Sequence, residues 1–159
     1  MVKTSKLSYP LFVFGYGSLM SDSSRKRTLK NHVKAFPARI NKKFGYKKTF
    51  NTIASRRNNE IVLGIEKNSK NTTSIYGVLF PVKKRQLAFL NDREKVYKRL
   101  KVPSSYIKTT TTIPKKSTII TYKPMKIYKK FKKSQRIYKG YKKVVNNATK
   151  KLYKINKLY

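Results

Sequence analysis

The chain has 159 residues, 38% of them hydrophobic, with 12 tyrosines and 8 phenylalanines; this sets it as a single domain able to bury its own core and excludes an intrinsically disordered chain. It has no cysteine, which excludes disulfides and thiolate metal sites, and one histidine, His32, far in sequence from any acidic partner and read as a surface residue. Lys and Arg number 41 against 5 Asp and Glu, a net charge of +36, and this has two readings: a nucleic-acid binder whose cations neutralise phosphates, or a bias toward the A/T-rich codons of Lys, Asn, Ile and Tyr.

In chain order, Met1 to Pro10 is a loose lead-in and Leu11 to Phe14 a short strand, apolar throughout and so buried on both faces. The strand runs into Gly15-Tyr16-Gly17-Ser18-Leu19, a tight loop. Gly15 and Gly17 there can take a positive φ or let backbone approach a ligand, and a helix starting just beyond would turn free N–H groups toward the loop. The pattern fits a small anion- or carbonyl-binding cradle, and equally a tight turn with nothing bound. Ser21 to Ser24 supply N-cap side chains for a short helix to Leu29. Val33 to Phe50 reads as a long bent strand or hairpin, with Pro37 confining it to an edge or bend and the rings of Phe44, Tyr46 and Phe50 packing in a core.

A polar turn, Ser55 to Asn59, precedes strands over Glu60 to Ile65 and Ser74 to Val82, whose simplest arrangement is antiparallel pairing through the loop Lys67 to Thr73. Gly77 within the second strand predicts a close backbone approach. Lys83 to Tyr97 reads as a helix. Lys98 to Val102, Tyr106 to Ile113 and Ser117 to Tyr122 are β-rich, Lys123 to Lys133 is the candidate flexible stretch, and Ser134 to Tyr153 is a C-terminal helix with Ile137, Tyr141, Val144, Val145, Ala148 and Leu152 at helical spacing.

Carboxylate chemistry must use Asp22, Glu60, Glu66, Asp92 or Glu94, the complete set. Leu87, Leu90 and Glu94 share one face of the helix, so Glu94 ends an apolar stripe. Burial there would raise its pKa toward the range of a general base; the alternative is a salt bridge to a nearby cation such as Arg99. Asp92 points elsewhere, into solvent.

Phe14-Gly15-Tyr16-Gly17-Ser18-Leu19-Met20 resembles the opening motif of the γ-glutamylcyclotransferase-like superfamily. Leu90-Asn91-Asp92-Arg93-Glu94 followed by Tyr97-Lys98-Arg99 and Val102, about seventy residues later, resembles its second motif, closest to the bacterial and ChaC-like branches, with Asn91 where the family has Asp. Gly45-Tyr46 with Phe50, and Tyr76-Gly77-Val78-Leu79-Phe80, resemble its middle strands. Tyr122 resembles a later pocket tyrosine, and Ser134 and Tyr138 loosely resemble the start of its last helix. The resemblance implies an α+β fold, a mixed or antiparallel β-barrel with flanking helices. It implies an enzyme that cyclises a γ-glutamyl amide to 5-oxoproline and releases the amine. Glu94 would be the catalytic acid/base, and Gly15, Tyr16, Gly17, Ser18, Leu19 and Tyr122 would bind substrate, with no metal or other cofactor.

One geometric expectation follows: Glu94 lines a cleft with Tyr16 and Ser18. The alternatives are a basic nucleic-acid-binding protein on the same fold, with Lys and Arg in one stripe beside exposed aromatics, and an inactive homologue. The leaving group stays open between an amino acid, an amine and the remainder of glutathione. The short apolar run before the loop is no signal-peptide core, and no stretch is long enough to cross a membrane, so a cytoplasmic protein, monomer or weak dimer, is expected.

Overall fold

The computed structural model describes residues 9–54, 59–70, 73–129, 136–137 and 139–155. Eight strands and three helices follow in order: β1 (Leu11–Gly15), α1 (Asp22–Leu29), β2 (Phe36–Ile40), β3 (Tyr46–Ala54), β4 (Glu60–Lys67), β5 (Ile75–Val82), α2 (Lys84–Arg93), β6 (Tyr97–Lys101), β7 (Ile107–Thr109), β8 (Thr118–Pro124) and α3 (Lys139–Ile155). Six strands form one mixed sheet in the order β6-β8-β1-β5-β2-β7, and β3 and β4 form a separate antiparallel ribbon. β1 is central: it runs antiparallel to β5 and parallel to β8, and all five of its residues are buried. This is the environment an uninterrupted apolar run calls for.

Closure of the sheet into the β-barrel that the sequence suggested is not detected among the described residues. β6 and β7 are its two edges, and no ladder joins them among the described residues. They are nevertheless close in sequence. The six steps from Lys101 to Ile107 reach at most about 22 Å, whereas five strand spacings across a flat sheet span about 24 Å. The connection is thus a little shorter than a flat sheet is wide, so the sheet departs from flatness, as twisted sheets do.

Other expectations also change. β4 and β5 do not pair with each other. β4 folds back on β3, from Ala54 opposite Glu60 to Tyr46 opposite Lys67 with a register shift between Phe50 and Thr52, while β5 lies between β1 and β2. The nearer turn wins, and Asn59 at φ 57 lies in it; β5, apolar on both faces, takes an interior place. The segment Val33 to Phe50 is no hairpin: it breaks at a 3₁₀ turn, Lys42–Phe44, and its halves join different sheets. Gly45 caps that turn at φ 80, the one described glycine with positive φ. Pro37 lies in β2 just past the end of β7, and its carbonyl accepts a hydrogen bond from Thr109 Oγ1 at 2.9 Å. Phe44 stacks on Tyr46 with ring centroids 5.0 Å apart, as a packed aromatic face.

The strand expected over Tyr106 to Ile113 is only Ile107–Thr109, entered through a 3₁₀ turn, Ser104–Tyr106. Lys123 and Pro124 close β8 and Lys126–Tyr128 form another 3₁₀ turn, so the first half of the stretch read as flexible is ordered; its remainder, 130–133, lies outside the described residues, as do Ser134 and Tyr138. α3 begins at Lys139, because Ile137 forms a parallel bridge with Ile61 instead of a helical turn. Val145 and Ala148 are buried on the core, while Val144 is exposed. Among the described residues no helix is long and apolar enough to cross a membrane. His32 is exposed.

Gly77 bears directly on the loop after β1. A Cβ there would sit 2.3 Å from the Gly15 carbonyl oxygen and 2.9 Å from Phe14 Cζ. The first neighbour is backbone and cannot swing away. Gly77→Ala is expected to lower stability by roughly 1–3 kcal/mol, measured by chemical denaturation; an unchanged midpoint would contradict the packing described.

Candidate active site

The parallel ladder between β1 and β8 stops at Val13 opposite Ile120. Beyond it the Phe14 carbonyl accepts a hydrogen bond from the buried Thr121 side chain at 2.9 Å, and the Tyr16 hydroxyl donates to the Tyr122 carbonyl at 2.6 Å. The two strands thus stay tied by side chains while their backbones separate, and the loop turns out of the sheet. Ser18–Met20 form a 3₁₀ turn, closed by hydrogen bonds from Met20 N–H to the Gly17 carbonyl and from Ser21 N–H to the Ser18 carbonyl. Ser21 then caps α1.

Neither Gly15 nor Gly17 adopts a positive φ. Both are needed for close packing. A Cβ on Gly15 would meet Leu19 Cβ at 2.8 Å, and one on Gly17 would meet the Tyr141 hydroxyl of α3 at 2.3 Å.

Arg25 of α1, 2% exposed, fixes the far side of the turn. It donates to the Leu19 and Met20 carbonyls at 2.8 and 2.9 Å and is paired with Asp22. Nothing in the sequence pattern marked it, since a buried arginine inside a charged helix looks like any other cation.

α2 is shorter than the sequence suggested. It ends at Arg93, and Glu94 is its C-cap, with φ −93 and ψ 39. A turn over Glu94–Val96 leads into β6, and Tyr97 is a strand residue. Leu87 and Leu90 are buried as the stripe predicted. The cap aims the Glu94 side chain into a cavity of about 480 Å³. Gly15, Tyr16, Gly17, Ser18, Leu19, Glu94 and Tyr122 all line this one cavity, so the two motif regions meet there. Asp92 is solvated, with its side chain 66% exposed, and lies 3.2 Å from Lys95.

The Glu94 side chain is 13% exposed and its Oε1 lies 3.2 Å from Arg93 Nε, so the ion pair forms with the adjacent residue and not with Arg99. Burial pushes the carboxyl up from its ordinary range, and the Arg93 guanidinium pulls it partly back. Four phenols surround it: Tyr16, Tyr97, Tyr122 and Tyr141, all lining the cavity. Burial pushes each of them up, and the Glu94 charge adds to the rise. At neutral pH all four are protonated donors. Tyr97 donates to the Leu63 carbonyl at 2.5 Å and Tyr122 to Asn91 Oδ1 at 3.2 Å, while the Ser18 and Leu63 backbone near the Tyr141 hydroxyl pulls its upward shift partly back. Asn91, standing where the resemblance expects Asp, thus makes an amide contact with a pocket tyrosine. In the sequence Tyr97 matches the second motif and Tyr141 a helical stripe, but neither is named there as a site residue; Tyr141 shares that stripe with Val145 and Ala148, which reads as core.

No protein-family model matches the chain, and no curated protein sequence matches it. Solved structures do. A gamma-glutamyl cyclotransferase superposes with a TM-score of 0.63 over 88% of this chain and 78% of that one, at 17% identity. A yeast gamma-glutamyl cyclotransferase specific to glutathione gives 0.65 over 89% and 87%, at 13% identity. YkqA from Bacillus subtilis gives 0.61 over 90% of this chain and 49% of that one, at 16% identity. The chain has the γ-glutamyl cyclotransferase-like fold.

The contact between Gly17 and the tip of Tyr141 is separable from the rest of the site. Gly17→Ala is expected to cost about 1 kcal/mol by denaturant unfolding, and close to nothing when Tyr141→Phe has already removed the hydroxyl. Equal costs in both backgrounds would contradict this packing.

Proposed function

We propose that this chain is a γ-glutamylcyclotransferase-type enzyme, converting a γ-glutamyl amide to 5-oxoproline with release of the amine. One observation carries the reading: a carboxylate sits nearly buried in a cavity shared with the Gly15–Leu19 loop. The α-amine of the γ-glutamyl group attacks its own γ-carbonyl carbon. The new C–N bond closes the five-membered lactam, the original amide C–N bond breaks, and no water is consumed. Glu94 takes the proton from the attacking amine and gives it to the departing one, which a single carboxylate can do in sequence. The Gly15–Leu19 loop holds the γ-glutamyl chain folded for closure, with backbone N–H groups toward its oxygens. Tyr16, Tyr97 and Tyr122 each give their one proton to a protein acceptor, so among the four phenols Tyr141 is the one that suits the same task, donating to a substrate oxygen without carrying charge.

Exposed cations occur on α1, α2, β6, β7 and α3 alike, and Tyr9 is the one exposed aromatic among the described large hydrophobics. This distribution does not favour the nucleic-acid reading, which expects one stripe flanked by exposed rings.

The test is 5-oxoproline release from glutathione, γ-glutamyl amino acids and γ-glutamylamines, wild type beside Glu94→Gln. Wild type is expected to turn over at least one of them, with a loss of about 10²–10⁴-fold in the variant. A folded wild type that releases none, or a variant at the wild-type rate, would overturn the proposal. The pH dependence has a definite sign. The base is the ionised form and burial raises its pKa, so release falls on acidification with a midpoint above the ordinary glutamate value of 4.5. An acid limb at or below that value would exclude Glu94 as the titrating group.

A further inference from the structure

Arg93 makes four contacts that the proposed chemistry does not use. Its Nε lies 3.2 Å from Glu94 Oε1. One terminal nitrogen donates to Thr28 Oγ1 at 2.5 Å and to the Ser24 carbonyl at 3.3 Å, and the other donates to Ser18 Oγ at 2.6 Å. The acceptors belong to three separate segments: the cap of α2, the body of α1 and the loop after β1. Ser18 and Arg93 are 75 residues apart in sequence. A planar guanidinium can satisfy such a spread of acceptors at fixed angles, whereas a lysine ammonium, a compact point charge on a flexible stem, cannot.

We propose that Arg93 is the positioning residue of this site, a clamp that holds the Glu94 carboxylate in place and locks it to the Ser18 loop and to α1. Its consequence for turnover rests on the function proposed above; the clamp itself is a property of the protein alone.

The charged and titratable groups around Glu94 define what the clamp opposes. Tyr16 faces it from the loop, Tyr97 from β6, Tyr122 from β8 and Tyr141 from α3. Arg27 and Lys30 line the cavity from α1, and the exposed Asp92–Lys95 pair lines it beside α2. Arg99 lies near Tyr122. Of these cations, only Arg93 reaches the carboxylate within ion-pair distance among the described contacts. Without it, the carboxylate would keep its burial and its position at the negative end of a helix, both of which favour the protonated form.

The experiment is a carboxyl ¹³C NMR titration of glutamate-labelled protein. The chain holds only Glu60, Glu66 and Glu94, so Glu94→Gln assigns the resonance. In Arg93→Met the Glu94 midpoint is expected to rise by about one pH unit or more. In Arg93→Lys, which keeps a charge but loses the fork, it rises by less, and kcat falls more than KM changes. An unmoved Glu94 midpoint in Arg93→Met overturns the proposal; should that variant not fold, an unmoved midpoint in Arg93→Lys does so. A moved midpoint in Arg93→Met, beside a wild type that releases no 5-oxoproline, would leave the clamp standing and remove the proposed reaction. Release by wild type with an unmoved midpoint in Arg93→Met would do the reverse.

Discussion

A nearly buried carboxylate at the end of a helix is the feature around which this structure is arranged. Glu94 is unfavourably placed in three ways: it is desolvated, it caps the negative end of α2, and it is walled by aromatic rings. The chain has 41 cations, and a surface position would have offered this carboxylate several partners at little cost. Instead one adjacent arginine offsets the burial and reaches two other segments in the same gesture. A local rule broken at one point and compensated by a dedicated partner fits the active site proposed here.

The other half of the site is held by close packing. Where β1 parts from β8, Thr121 and Tyr16 tie the separating backbones, and three glycines let neighbours approach within distances that a Cβ would forbid. Gly77 lies against the Gly15 carbonyl, Gly15 against Leu19, and Gly17 against Tyr141. Arg25 adds a buried charge that grips the carbonyls at the far end of the turn. The loop is therefore positioned from β5, α1 and α3 at once. Such over-determination suits the ring closure proposed above, since orientation contributes most when the reacting atoms are already near attack distance.

Much of this could be read from the chain before its fold was known, because the relevant signals are local. The apolar run of β1, the Ser21 cap, the Leu87–Leu90 stripe and the tight approach at Gly77 each depend on residues a few positions apart. The convergence of Tyr16, Ser18 and Glu94 was legible only through two family-like motifs, since no spacing rule joins segments about seventy residues apart. What escaped was set by competition between partners. β4 chose β3 over β5 because the shorter turn closes more readily. α2 stopped one residue before Glu94 although the apolar spacing continued. Tyr141 and Arg25 were hidden because a ring on an apolar stripe and a cation in a basic helix carry no mark of what they touch.

The central claim is that the Gly15–Leu19 loop and Glu94 form one binding site for a γ-glutamyl group. The most direct measurement is a crystal structure of the Glu94→Gln variant grown with a γ-glutamyl amide. The account predicts the γ-glutamyl chain folded in the cavity, its oxygens against the loop backbone and its α-amine within hydrogen-bond distance of the residue 94 side chain. A ligand seated elsewhere, or one in the cavity with its amine turned away from residue 94, would contradict it.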